Sequence, residues 1–219
     1  MNSKPIFWNR CFTSEGQNTN IMLKRSTMIY TELSPNPNSM KFVLNYELVP
    51  EGLSFDYTSM NAALAEEKAS PLAADCFQFP FVNRVFIASN FITITKDDDT
   101  LWENVLGDFK QFLKIYFDEE HPVFATKTIE KNTLIVDSND TESVAKIKAT
   151  LDQYVRPAVE SDGGAINFSS YDEESGEVVV SLQGSCSGCP SATVTLKDGI
   201  ERMLKTMVPG VKTVVAEVL

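Results

Sequence analysis

The sequence predicts an α+β protein made of two small mixed domains, the second ordered helix-strand-strand-helix-strand. Three observations carry this. Strand-like segments alternate with amphipathic helical ones across most of the 219 residues. Hydrophobic residues make up 43%, with 14 Phe, while charged residues stay near the globular average at 22%. A polar stretch over residues 119–139 separates two such patterns. No apolar stretch reaches the roughly 18–20 residues that cross a bilayer. The expected division is a disordered tail over 1–27, a first domain over 28–118, a linker over 119–139 and a second domain over 140–219.

Residues 1–27 are rich in Asn, Ser and Thr, show no periodicity and contain no secretory h-region. A disordered tail is the expectation. An organelle transit peptide, or an upstream start with Met28 the first native residue, is also compatible with the composition. Residues 30–33 read as a strand. Ser34-Pro35-Asn36-Pro37-Asn38-Ser39 is a turn, with prolines fixing φ and Asn and Ser satisfying local backbone groups. Residues 40–46 resume a strand. Residues 59–68 are Ala- and Glu-rich and expected to be helical, with Ser59 as N-cap. Pro71 opens a second short helix through Cys76.

Residues 82–89 and 91–96 are β segments joined by a tight turn at Asn90. Phe91-Ile92-Thr93-Ile94-Thr95 alternates as a half-buried strand does. Asp97-Asp98-Asp99-Thr100 then supplies helix-start acids and a cap. Trp102, Val105, Leu106, Phe109, Phe112, Leu113 and Tyr116 recur at helical spacing, predicting a helix over 101–117.

Within the linker, 133–136 looks strand-like. The second domain opens at residue 140 or 141 with a helical stripe of Val144, Ile147, Leu151, Tyr154 and Val155. Pro157 and Gly163-Gly164 bracket its end. Residues 165–171 form a strand, 172–176 a polar turn, and Val178, Val180 and Leu182 mark the next strand. Gly184 to Cys189 is a loop, and Pro190 stands at a first helical position. Leu196, Ile200, Met203, Leu204 and Met207 make the buried stripe of a helix that Pro209-Gly210 stops. Residues 211–219 form the last strand.

The formal net charge of −11 is unevenly spread: +3 over 1–27, −9 over 28–139 and −5 over 140–219. Both domains are acidic, which argues against counterion-release binding to nucleic acid and against anionic membranes. A single His argues against His-based catalysis. Of the four cysteines, Cys11 and Cys76 are isolated, whereas Cys186 and Cys189 form one C-x-x-C. This is no disulfide framework but an intracellular metal or redox motif. Two thiols three positions apart can face one centre, and the helix that follows favours thiolate.

A metal or cluster site, a redox dithiol and an accidental buried pair are the three readings of this motif. Zinc sites and iron–sulfur clusters usually take four protein ligands. The motif offers two, so the set calls for a second chain, and a symmetric dimer holding one centre between two loops is the expectation. Cys76, among Phe77, Phe79 and Phe81, reads as a small buried hydrophobe. Asp162-Gly163-Gly164 reads as a positive-φ turn, and less readily as an element of the cluster loop. Lys41 and Trp102 were weighed as a docking surface, with Trp102 better read as core. Asp97 to Asp99 fits helix capping better than a metal, Asp172 to Glu174 fits a solvated hairpin tip, and Arg156 fits a local carboxylate pair.

Arg156-Pro157-Ala158-Val159-Glu160-Ser161-Asp162-Gly163-Gly164, Leu182-Gln183-Gly184-Ser185-Cys186-Ser187-Gly188-Cys189-Pro190-Ser191 and Val208-Pro209-Gly210-Val211 closely resemble the NifU-like domain of Nfu-type iron–sulfur scaffolds and carriers. Asn36-Pro37-Asn38-Ser39-Met40-Lys41-Phe42 and Phe91 to Lys96, with Trp102, resemble the N-terminal domain of Nfu proteins. The resemblance implies a non-enzymatic carrier. It would hold a [4Fe–4S] cluster between two subunits through Cys186 and Cys189, take it from upstream assembly machinery and deliver it to apo-proteins. The expected setting is the cytoplasm, or the mitochondrial matrix for a eukaryotic source. The rival functions are a thioredoxin-like dithiol oxidoreductase and a zinc-bridged structural dimer. The compact acidic first domain is expected to dock clients or donors.

Overall fold

A computed structural model describes residues 26–50, 52–66, 68–125, 140–187 and 190–218. Residues 1–25 of the expected tail over 1–27, the strand-like 133–136 and Cys11, Gly188 and Cys189 lie outside the described residues.

The first half is a five-stranded antiparallel sheet covered on one face by helices. Its strands are β1 (Ile29–Leu33), β2 (Ser39–Leu44), β3 (Ser54–Tyr57), β4 (Val82–Ala88) and β5 (Phe91–Lys96), arranged β1-β2-β5-β4-β3. The helices are α1 (Met60–Leu64), α2 (Pro71–Cys76) and α3 (Trp102–Asp118). Ser59 caps α1 by accepting from the Ala62 N–H, and Ser70 caps α2 by accepting from the Ala73 N–H. Alternation along each strand sends Phe42, Leu44, Phe55, Tyr57, Val85, Ile87, Ile92 and Ile94 into one core with Leu72, Phe109 and Leu113. Phe109 lies 5.3 Å from Phe42 and 5.0 Å from Phe79, ring centre to ring centre. Trp102 packs against this core and donates Nε1–H to the Pro37 carbonyl, as its position on the helical stripe predicts.

Several expectations shift in detail. β3 was not read from the sequence. Helix α1 is five residues long, ending well before residue 68. Asp97 accepts from the Thr100 N–H one turn ahead of α3, whose N-cap position is Leu101 with no side-chain cap. Thr27 is buried beside Tyr46. Part of the expected linker also belongs to the first half: Phe124 is buried 4.4 Å from the Phe55 ring, and Ser70 donates to the Val123 carbonyl.

The second half contains α4 (Glu142–Thr150), a π-helical turn (Leu151–Val155), α5 (Arg156–Ser161), β6 (Gly164–Asp172), β7 (Glu177–Gly184), a 3₁₀ turn (Ser185–Ser187), α6 (Pro190–Met207) and β8 (Thr213–Val218). The predicted order of helices and strands is present. β6 and β7 form an antiparallel hairpin, and β8 returns parallel to β7 after α6. Ile147, Leu151, Val159, Ile166, Val180, Leu182, Ile200 and Leu204 build a second core, separate from the first. Met203 and Met207 pack on it as core residues. Arg156 bonds Asp152 at 2.6 and 3.0 Å, and the Asp172 carboxylate accepts from the Glu174 N–H at the exposed hairpin tip.

Thr93 is a correction. A half-buried strand would turn Thr93 to water, yet Thr93 is fully buried. The second half covers the outer face of the first sheet. A row running Glu32, Lys41, Thr93, Phe86 and Asp56 crosses all five strands in register on that face.

Candidate metal centre

Cys186 occupies the 3₁₀ turn between β7 and α6 and is 8% exposed. The turn is held from several directions. Ser185 Oγ donates to the Asp162 carbonyl at 2.6 Å, the Ser185 N–H reaches the Gly163 carbonyl at 3.3 Å, and Ser187 Oγ donates to the Leu182 carbonyl at 2.9 Å. Ser185 Oγ lies 3.9 Å from Cys186 Sγ.

The two glycines at the start of β6 have different duties. Gly163 sits at φ +84°, so it makes the positive-φ turn expected of it. Gly164 gives Cys186 its room: a Cβ there would stand 2.8 Å from Cys186 Sγ and 2.6 Å from the Gln183 carbonyl oxygen. The sequence reading weighed the pair chiefly as a turn; the structure makes it part of the cysteine turn as well.

Cys76 is fully buried in the first core and carries no disulfide. Burial, with Asp75 adding to it, pushes its thiol well above the ordinary range. Its thiol is therefore held protonated, and it lies in a different core from Cys186.

The first half contributes residues beside this turn whose contacts there the sequence did not foretell. Asp56 Oδ2 accepts from the Gly184 N–H at 3.0 Å, and Asn36 Nδ2 donates to the Ser185 carbonyl at 3.4 Å. Ser54 Oγ donates to Gln183 Oε1 at 2.8 Å, and Ser34 Oγ donates to the Asp162 carbonyl at 3.0 Å. Lys41 Nζ donates to the Ser161 carbonyl, pairs with Glu32 at 3.1 Å and lies over the Phe91 ring. Phe86, Ala88 and Phe91 close around Ala165. Burial raises the Asp56 pKa, an effect opposed by Arg84, whose Nε lies 3.0 Å from Oδ1, and by the Gly184 N–H. Lys41, a candidate for docking other proteins, has its side chain engaged within its own chain. For Asn36, Ser54, Asp56 and Thr93 no local motif signals the role.

Two α+β halves, each with its own sheet and core, the second presenting a cysteine turn at a strand-to-helix junction, set the class of protein by structure. Residues 147–215 match the NifU-like domain, and residues 29–120 match the N-terminal domain of scaffold protein Nfu/NifU. The chain is 39% identical over 196 residues to NifU-like protein 4, mitochondrial, of Arabidopsis thaliana, covering 89% of this chain and 67% of that one. It is 39% identical over 191 residues to the NFU1 iron-sulfur cluster scaffold homolog, mitochondrial, of Drosophila persimilis, covering 87% and 65%. It thus spans about two thirds of the length of these relatives. A NifU-like protein of Saccharomyces cerevisiae, solved by NMR, aligns at 24% identity with a TM-score of 0.40, over 54% of this chain and 98% of that one. The chain belongs to the NifU-like (Nfu) family.

Proposed function

We propose that this protein is an iron–sulfur scaffold and carrier in which Cys186 and Cys189 ligate a [4Fe–4S] cluster shared with the same pair from a second chain. The observation that supports this best is the setting of the cysteines. Cys186 lies in a tight turn opening into a helix, whereas Cys76 is locked in another core. A cluster of this type takes four thiolates, and each motif supplies two. The names of the relatives, iron-sulfur cluster scaffold among them, support the same cargo.

In this reading the cluster is cargo and the protein turns over no small substrate. Each thiol gives up its proton on binding, so loading weakens as pH falls. Transfer to an apo-protein is ligand exchange: client thiolates take iron positions as those of one carrier chain leave. The upstream partner is the assembly machinery that supplies the cluster. The mitochondrial names of the relatives support a matrix location where the source is eukaryotic.

Anaerobic reconstitution tests the reading. The chain should bind about four irons per pair of chains and form a dimer as it does so. Cys186→Ala or Cys189→Ala should abolish both, and Cys76→Ala should spare them. Stoichiometric zinc in protein purified without oxygen would instead favour a zinc-bridged dimer. Disulfide cycling by an iron-free monomer would favour a dithiol oxidoreductase.

A further inference from the structure

We propose that the outer face of the first-domain sheet is a cap for the cysteine turn of its own chain, and that the turn takes up its cargo only after this cap lifts. The proposal rests on the reading of Cys186 as a cluster ligand. The contacts that carry it fall on the two residues just ahead of that cysteine. Asp56 holds the Gly184 N–H and Asn36 holds the Ser185 carbonyl, and these bonds keep the turn seated so that Cys186 packs into the second domain's own core at 8% exposure. A thiol held inward cannot meet the ligands of a second chain. The turn must swing out, and these contacts oppose that movement.

The interface is also built to part. It joins polar contacts along the row of Lys41, Asn36, Ser54 and Asp56 to one small apolar patch, where Phe86, Ala88 and Phe91 meet Ala165, and interfaces between mobile domains are mixed in this way. Closing it removes Asp56, Arg84 and Lys41 from most of their water. Thr93 Oγ1 is buried at its centre with no hydrogen-bond partner among the described residues, and a Cβ on Gly163 would lie 2.8 Å from it. Lifting the cap returns water to all four groups. Parting exposes the Phe86–Phe91–Ala165 patch but leaves the two larger cores, which share no residue, intact.

The test uses the full chain and two substitutions on the sheet face, Thr93→Arg and Lys41→Glu. Iodoacetamide labelling under reducing conditions, mapped by peptide mass spectrometry, reads Cys186 and Cys76 separately. In both variants Cys186 should label at least about tenfold faster than in the unsubstituted chain, as expected when a protecting closed state is lost. Cys76 should stay unreactive, which distinguishes cap opening from unfolding of the first domain. The two substitutions change local charge in opposite directions, so a shared acceleration cannot come from altered thiol ionisation. Iron uptake during reconstitution should quicken in the same variants. Equal labelling of Cys186 in all three chains would overturn the cap, even if all three load iron. Faster labelling with no iron uptake by any chain would leave the cap standing and remove the cluster reading instead.

Discussion

At the scale of single residues, the centre depends on what is missing at position 164. Gly164→Ala would push a methyl group against Cys186 Sγ and the Gln183 carbonyl. Overpacking of this kind costs about 1–3 kcal/mol. The variant should show a lower urea midpoint for the second domain and reduced iron uptake. Wild-type values for both would mean the turn relaxes freely around the added carbon. This dependence was hidden in the sequence. A Gly-Gly pair announces a turn, and Gly163 makes one, but the approach of a sulfur 22 positions downstream is set by the β6–β7 register. Cys186 and the bland role of Cys76 were legible, the first from its spacing to another cysteine and the second from its aromatic neighbours. Asp56 and Asn36 were not, because their partners lie more than a hundred residues away.

Among the elements, those whose side chains alternate or repeat against a local core were readable. Helix α3 announced itself through Trp102, Phe109 and Leu113, and β5 through its strict alternation. β3 did not: Ser-Phe-Asp-Tyr is four residues long, and its polar positions serve the interface. The same physics misdirected the reading of β5, where threonines normally mark the wet face. The joint between α6 and β8 yields a pH prediction. Glu201 accepts hydrogen bonds from Lys205, the Val214 N–H and Thr213 Oγ1, and these hold its pKa down to about 2 from an ordinary 4.5. The folded state favours the carboxylate, so its contribution is complete above pH 4.5 and drains away as pH falls toward 2. Acid unfolding of the second domain should show this loss, and Glu201→Ala should remove it by flattening the dependence in that window. An unchanged acid profile in the variant would place the acid sensitivity elsewhere.

For the whole molecule, two separate cores joined through a seam of polar contacts and one small apolar patch should not melt as one unit. Hydrogen exchange followed by peptide across a urea series should show residues 29–120 and 147–215 losing protection at different concentrations. Coincident loss would mean the seam couples the cores more tightly than its contacts suggest. The fold class and the order of elements in the second domain were visible in composition and periodicity. The seam was not, since an alternating sheet face carrying Glu32, Lys41, Arg84 and Asp56 reads as solvated until something is found lying on it.

The strap that ends in Phe124 gives the seam a further property. Val123 and Phe124 are fastened to the first domain, and the Ala125 N–H bonds the Ala69 carbonyl. The connection from Ala125 to Asp140 is therefore only 14 residues, with a maximum reach of about 50 Å. A sheet face on so short a leash stays at an effective concentration on the order of millimolar. Under the proposed carrier role, a client or second copy at micromolar abundance would compete for the cysteine turn against a resident rival about a thousandfold more concentrated, so partners that also grip the first domain would have the advantage.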